Sequence, residues 1–596
     1  MAKLSWRRAA AHQMGLLSSV LALTAACGST GGDGAATPGA GQSAGASAGT
    51  SGAAGGSAAT GGSSSAAGTG MTDLGPCEGT DVPLHKRVVR LSFNQISNAV
   101  TALTDPTLGA TIATTYEIGD SLHRTFPPLA SAREGSQLTD MSWAKTDKIA
   151  ADVGKYVLAN AATATNCGAA PTAECAKTFV LALAERAFRR PLNDAEKANL
   201  GKVLTDVAAA GGTASDQLQY GVYAVLESPH FLYRTELGPD ATQAGALTPH
   251  EVASQLSFFL TDAPPDAPLL EAAAQGALAS AEQIGAHVKR ILATPTAKQN
   301  LQDAMFSYFG LYGLETVIVD TPDFTPAVRN SMQHESELFL KTNLWSPKLG
   351  SLLTARTSTI NATLAALYGV PAPTSGLDAD GFGAVELPAN RAGMLTNLGF
   401  LTSRSRPDTP SVVGRGLLVN AALLCAENPA FPEALSSQIA AASAMLSEAT
   451  EREKSAYRTS TPPCSGCHTG FDPYGLALGN FDSVGRFTAT DAKGRPIDAS
   501  VTLPPNAGGA QVQSATEMAD VLAGGGAFAA CMAKNVMLYA IAEVPDEGAS
   551  QQSVSVTGCA TQTIASSFSK TGQSFSDLIE QVAISSTLGQ RTAGVK

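Results

Sequence analysis

The sequence predicts an all-α chain built from several packed helical modules, and three observations predict it. A capping residue followed three positions later by Glu, or by Gln, recurs ahead of apolar runs. Apolar residues recur at helical spacing over most of the chain. Alternating strand patterns are few, the clearest candidates being 315–319 and 382–386. The first capping box is Ser92 with Gln95, which leads into Ile96, Ala99, Val100 and Leu103. Asn193 with Glu196, Thr248-Pro249 with Glu251, and Ser280 with Gln283 repeat it before Leu200, Leu256 and Ile291. Further periodic stretches cover 138–160, 175–188, 216–227, 298–309, 329–342, 390–402, 413–425, 435–455, 515–523, 528–542 and 575–588. No long repeat period is visible.

At 596 residues the chain has room for about three to five domains. Hydrophobic residues make up 44% and charged residues 15%, enough apolar surface for most of it to fold. With 39 Lys plus Arg against 51 Asp plus Glu, the formal charge is −12, which argues against a nucleic-acid partner because that affinity comes from cationic neutralisation of phosphates. No stretch after residue 30 is apolar for long enough to span a membrane.

Residues 1–26 read as a secretory leader, with Lys3, Arg7 and Arg8 ahead of an uncharged apolar run from Met14 to Ala26. Small residues directly before Cys27 resemble a bacterial lipoprotein lipobox, although Thr24 stands where that pattern prefers Leu. Cleavage there would take the formal charge from −12 to −15 and leave Cys27 for acylation, tying the protein to a membrane without spanning it. The alternative is an ordinary leader with a chance cysteine. Residues 28–70 hold 15 of the 58 glycines among Ala, Ser and Thr, the composition of a flexible tether whose ends lie roughly 35–40 Å apart. The expected order is a leader at 1–26, a tether at 27–76, helical domains at 77–165, 166–236 and 237–389, a further domain at 390–505, and a closing helical domain at 506–596. The expected location is the cell envelope, facing the periplasm or the exterior.

In that oxidising compartment each of the nine cysteines needs a partner, a modification or a ligand. Cys464-Ser465-Gly466-Cys467-His468 is the C-x-x-C-H pattern through which haem c is attached: two thioethers hold the porphyrin and the histidine becomes the proximal iron ligand. Nine Cys and eight His produce it by chance about 0.002 times per chain. A redox disulfide would want a helix immediately afterwards, where Thr469-Gly470-Phe471-Asp472-Pro473 breaks one. A zinc site would want a second Cys or His pair nearby, and no histidine follows His468. Cys167 and Cys175 enclose a short Gly, Ala and Pro loop and are a plausible disulfide. Cys531 with Cys559, flanking a helix and turn, is another, leaving Cys77 to Cys425 by elimination.

A haem needs an apolar wall, close backbone approach and polar groups for its propionates. Phe471, Leu476, Leu478, Phe481 and Phe487 could form the wall, Gly475 and Gly485 the approach, and Arg486 the propionate partner; equally, the aromatics could be ordinary core and Arg486 a solvated cation.

The stretch Phe471-Asp472-Pro473-Tyr474-Gly475 through Phe481-Asp482-Ser483-Val484-Gly485-Arg486, followed by Pro496-Ile497-Asp498, resembles the planctomycete-type cytochrome c family. In that family C-x-x-C-H precedes D-P-x-G-x-x-x-E-x-F-D-x-x-G-R and then P-I-D. The likeness extends to Arg90-Leu91-Ser92, Ala187 to Leu192, Ser228 to Arg234, Leu247 to Ala253, Arg391 to Leu395, Arg415-Gly416 and the segment 515–588. It implies a chain of helical domains of unknown role carrying a predicted haem. Gly479 replaces the family's Glu, and Tyr457 stands in the region where relatives often carry His. The sixth iron ligand therefore has no obvious local source; Met518, Met532 and Met537 are candidates that equally fit an apolar helix face.

The leading expectation is a covalent, single haem c in an exported electron-transfer protein with an unknown redox partner. A haem enzyme of peroxidase or oxygenase type is the alternative, with His230 and His250 as candidate distal groups that also suit helix-end roles. A third is an envelope-binding scaffold with structural haem. After the Gly/Ala/Ser-rich stretch 28–70, where G-x-S-x-G arises twice from composition alone, the chain has no G-x-S-x-G, H-E-x-x-H, Walker loop or dinucleotide fingerprint.

Overall fold

The computed structural model describes residues 84–116, 139–240, 242–407, 409–426, 433–541, 563–568 and 573–595. Helix accounts for 62% and strand for 6%, in several packed helical groups. All four capping boxes are built as expected: Ser92, Asn193, Thr248 and Ser280 each accept from the backbone N–H three residues on, and the side chain there returns the bond. Thr139, Thr213, Thr450 and Ser574 form four more with Ser142, Asp216, Glu453 and Asp577.

Three of the expected helices are interrupted, the stretch 575–588 dividing into Phe575–Ala583 and Ser586–Gly589. The stretch 390–402 opens with Gly393 at φ +54, close against the Leu353 backbone, and passes through a 3-10 turn, Met394–Thr396, before the α-helix Leu398–Thr402. The stretch 435–455 divides into Ser436–Met445 and Glu451–Ser460, the Thr450 capping box starting a new axis. Of the two strand candidates, Gly383–Glu386 forms and pairs antiparallel with Thr357–Ile360. By contrast, 315–319 is the end of a short 3-10 turn and coil.

A small sheet was not anticipated. Leu84–Arg90 pairs antiparallel with Tyr233–Glu236 and parallel with Gln590–Val595, which in turn pairs with Gly245–Ala246. Arg87 lies directly opposite Glu236, and its guanidinium bonds both carboxylate oxygens. Arg591 reaches the same carboxylate from the third strand. Burial opposes the Glu236 charge, yet Arg87, Arg591 and Arg234 together hold its carboxyl down at about 2.

The first helical block, from Leu91 to Phe258, closes around its own core. A second core runs from Leu247 to Leu588, so the helices around 249–309, the 391–481 segment and the closing helices share one interior. Among the described residues no single helix is long and apolar enough to cross a membrane. Ala515–Gly524 and Gly526–Ile541 would suffice only together, and they meet at a 68° bend.

Cys167 and Cys175 form a disulfide, as the sequence suggested. The proposed Cys531 to Cys559 and Cys77 to Cys425 pairings are corrected: Cys531 is bonded to Cys425. Cys531 points inward from Gly526–Ile541 and is 2% exposed, close to the Ala422 carbonyl, so its neighbour is the end of the preceding helical run. Cys77 and Cys559 lie outside the described residues, as do Cys27, the leader and the tether.

Candidate functional site

The segment carrying the motif begins on helix Glu451–Ser460, passes Pro462 and Pro463, and makes one helical turn, Ser465–His468. The turn stops where Gly470 and Pro473 were expected to stop it. A new short helix, Asp472–Ala477, then starts with Pro473 in its first turn, a position that needs no N–H. This break lets a residue four places after the histidine face back onto it. His468 Nδ1 lies 2.9 Å from Asp472 Oδ1, and Arg458 Nε donates to Asp472 Oδ2 at 2.8 Å.

Asp472 is fully buried, while His468 is partly exposed. Burial works against a charge on Asp472, yet the hydrogen bond from His468 and the Arg458 guanidinium hold its carboxyl below the usual carboxylate range. An ionised carboxylate only accepts, so this contact puts a proton on Nδ1, and in the neutral ring that tautomer leaves the lone pair on Nε2. The Phe471 ring lies against the imidazole, with centroids 4.9 Å apart.

Cys464 and Cys467 are both free and partly exposed, whereas the other four described cysteines are joined in pairs. A side chain added at Gly466, between the thiols, would meet nothing within 4 Å. Among the described residues no three His, Cys, Asp or Glu groups converge to hold a metal ion, so the two thiols and His468 do not form a closed zinc shell. Arg458 Nη2 is buried without a hydrogen-bond partner, a donor that an anionic group of a bound ring would satisfy. Two free thiols with open space at Gly466 between them, an imidazole held through Nδ1 and a guanidinium with one unpartnered nitrogen form a donor set that fits a covalently attached haem.

The remaining candidates are distributed differently. Leu478 and Phe481 are buried in the large core, and Phe487 is 40% exposed against Phe481. Gly475 and Gly416 serve helix packing: a Cβ on Gly475 would stand 1.9 Å from the Val412 oxygen, and one on Gly416 2.2 Å from the Phe471 oxygen. Gly485, at φ +77, makes the turn before Arg486. Arg486 is half-exposed and is shared between Asp323 at 2.5 Å and Asp482 at 4.0 Å. Met518, Met532 and Met537 are completely buried core residues. His230 is engaged with Glu196 at 3.2 Å and lies tilted against the Phe188 ring; His250 is in the first turn of Pro249–Thr261.

Four residues of this site carry roles that the sequence did not suggest. Asp472 and Arg458 anchor the imidazole, and Arg391 and Arg415 hold the loop that follows. Arg391 donates to the Thr396 and Gly485 carbonyls and lies over the rings of Tyr368 and Phe481. Arg415 donates to the carbonyls of Leu401, Phe481 and Asp482. Both guanidiniums are buried, and they satisfy carbonyls of a turn-rich segment with few helical bonds of its own. The four-residue spacing from His468 to Asp472 was the one signal in the sequence that could have found the anchor.

No curated protein and no solved structure matches the chain. Residues 175–236 match the PSD5 model (DUF1595), 247–370 the PSD4 model (DUF1592) and 391–491 the PSCyt3 model (DUF1588), each described as a protein of unknown function. These three segments are thus similar, in chain order, to domains of the planctomycete-type multi-domain family, and the one that contains the C-x-x-C-H turn is similar to a domain with a cytochrome-type name.

Proposed function

We propose that this protein is an exported, membrane-anchored, mono-haem c-type cytochrome-like protein that transfers single electrons at the cell envelope. The observation that carries the reading is the pair of free, partly exposed thiols beside a histidine whose Nδ1 is already bonded to Asp472. A haem c supplies a one-electron Fe(III)/Fe(II) couple when bound. Cys464 and Cys467 would each add S–H across a vinyl group, forming an S–C bond and passing the hydrogen to the neighbouring carbon, so no oxidant is required. His468 would ligate through Nε2, with Asp472 holding the ring in the tautomer that leaves this nitrogen free. Arg486, as a propionate partner, would exchange its surface pair with Asp323 for a ring carboxylate, a change of little cost because exposed pairs are weak.

The disulfides Cys167–Cys175 and Cys425–Cys531 are consistent with export. Acylation of Cys27 would hold the protein at the membrane, with residues 28–70 as the tether to the folded body.

A second reading, a haem enzyme, is favoured by the carboxylate behind the proximal histidine, because an anion there stabilises more oxidised iron. The two are separated by spectroscopy on protein matured in a host competent for cytochrome c assembly. The pyridine haemochrome spectrum is expected to report one haem c per chain, and its absence would end both readings. A reduced spectrum unmoved by carbon monoxide supports the electron carrier; a shifted one supports catalysis.

A further inference from the structure

We infer that Asp472, braced by Arg458, is a positioning residue that fixes the orientation of His468 and sets a low reduction potential for the site; this rests on the haem reading above. The carboxylate is fully buried, and each oxygen has one strong partner: Oδ1 faces His468 Nδ1 at 2.9 Å and Oδ2 accepts from Arg458 Nε at 2.8 Å. Arg458 comes from a different helix, Glu451–Ser460, so the carboxylate is gripped from both sides and cannot turn away from the ring. Phe471 blocks rotation of the imidazole from another direction.

Two consequences follow for a ligand bound at Nε2. The tautomer is locked, with the proton on Nδ1. The buried negative charge also makes the imidazole a stronger electron donor, and this favours the ferric over the ferrous state. Among the described residues, Arg458 is the one guanidinium bonded to that carboxylate, and it bonds through Nε.

The test compares wild-type holoprotein with Asp472→Asn, which keeps the size and an acceptor oxygen but removes the charge. Haem content is measured first by pyridine haemochrome, then the midpoint potential by spectroelectrochemistry. The potential is expected to rise by at least the equivalent of a tenfold change in the ferric/ferrous equilibrium, about 59 mV for one electron. Haem present in both proteins with an unchanged or lower potential overturns the inference and leaves the haem reading standing. Absence of haem in the wild type overturns the haem reading itself. If Asp472→Asn does not mature, nitrogen-15 histidine NMR of the reduced wild type takes its place: an Nδ1 proton of the ligated histidine protected from exchange is expected, and an unprotected or deprotonated Nδ1 overturns the inference.

Discussion

Two buried carboxylates, Glu236 in the small sheet and Asp472 behind the Cys-Ser-Gly-Cys-His turn, each bond a guanidinium, but their remaining partners differ. Glu236 meets only arginines, Arg87 and Arg591 by direct bonds with Arg234 close by, and all three are buried. Its charge is sealed inside and ties together strands from residues 84–90, 233–236 and 590–595. Asp472 has one arginine and one imidazole, and that imidazole reaches the surface beside two free thiols. A buried carboxylate thus joins distant segments when every donor is a buried cation, and acts on a surface group when one donor is a partly exposed ring.

Substitutions at the two carboxylates should therefore differ in kind. The largest stability effect is expected from Glu236→Gln, which removes the buried charge that Arg87 and Arg591 both bond and should cost about 3–5 kcal/mol in denaturant unfolding. A loss under 1 kcal/mol would mean that the sheet does not depend on this charge. Acid tests the same cluster without mutation. The Glu236 carboxyl is depressed to about 2, so its contribution is complete above the unfolded value of about 4.3 and is lost as pH falls from there through about 2, by about 3 kcal/mol in all. Unfolding free energies of wild type and Glu236→Gln should converge over that window; parallel curves would contradict the assignment.

Smaller effects are expected around the motif. Gly475→Ala drives a methyl into the Val412 carbonyl and should cost about 1–3 kcal/mol, while displacing the short helix that begins at Asp472. An unchanged melting temperature would show that the two helices are not in tight contact. Arg486→Gln should change stability by only about 0–1 kcal/mol, because its pair with Asp323 is exposed. Lower haem retention in that variant, with unchanged stability, would assign Arg486 to the propionates; equal retention would remove it from the site.

The helical class was legible because capping boxes are local: Ser92, Asn193, Thr248 and Ser280 each announce their helix within four residues. The Cys167–Cys175 bridge was legible for the same reason, spanning only eight positions. Cys425–Cys531 was not, because 106 residues separate its ends and the pairing depends on which face of Gly526–Ile541 turns inward. The sheet was missed because its strands come from both ends of the chain and from residue 233, and no one of them alternates over a long enough run to stand out. At the site, the thiols and His468 could be read from the sequence. Asp472 looked only like part of a helix break, and its role follows from the second helix that the break allows.

The central claim is that Cys464 and Cys467 carry a covalent haem whose iron is bound by His468. Mass spectrometry of the peptide containing residues 464–468, taken from protein matured in a cytochrome c-competent host, tests it most directly. One haem attached through both sulfurs is expected; a Cys464–Cys467 disulfide, two unmodified thiols or bound zinc would overturn the haem assignment.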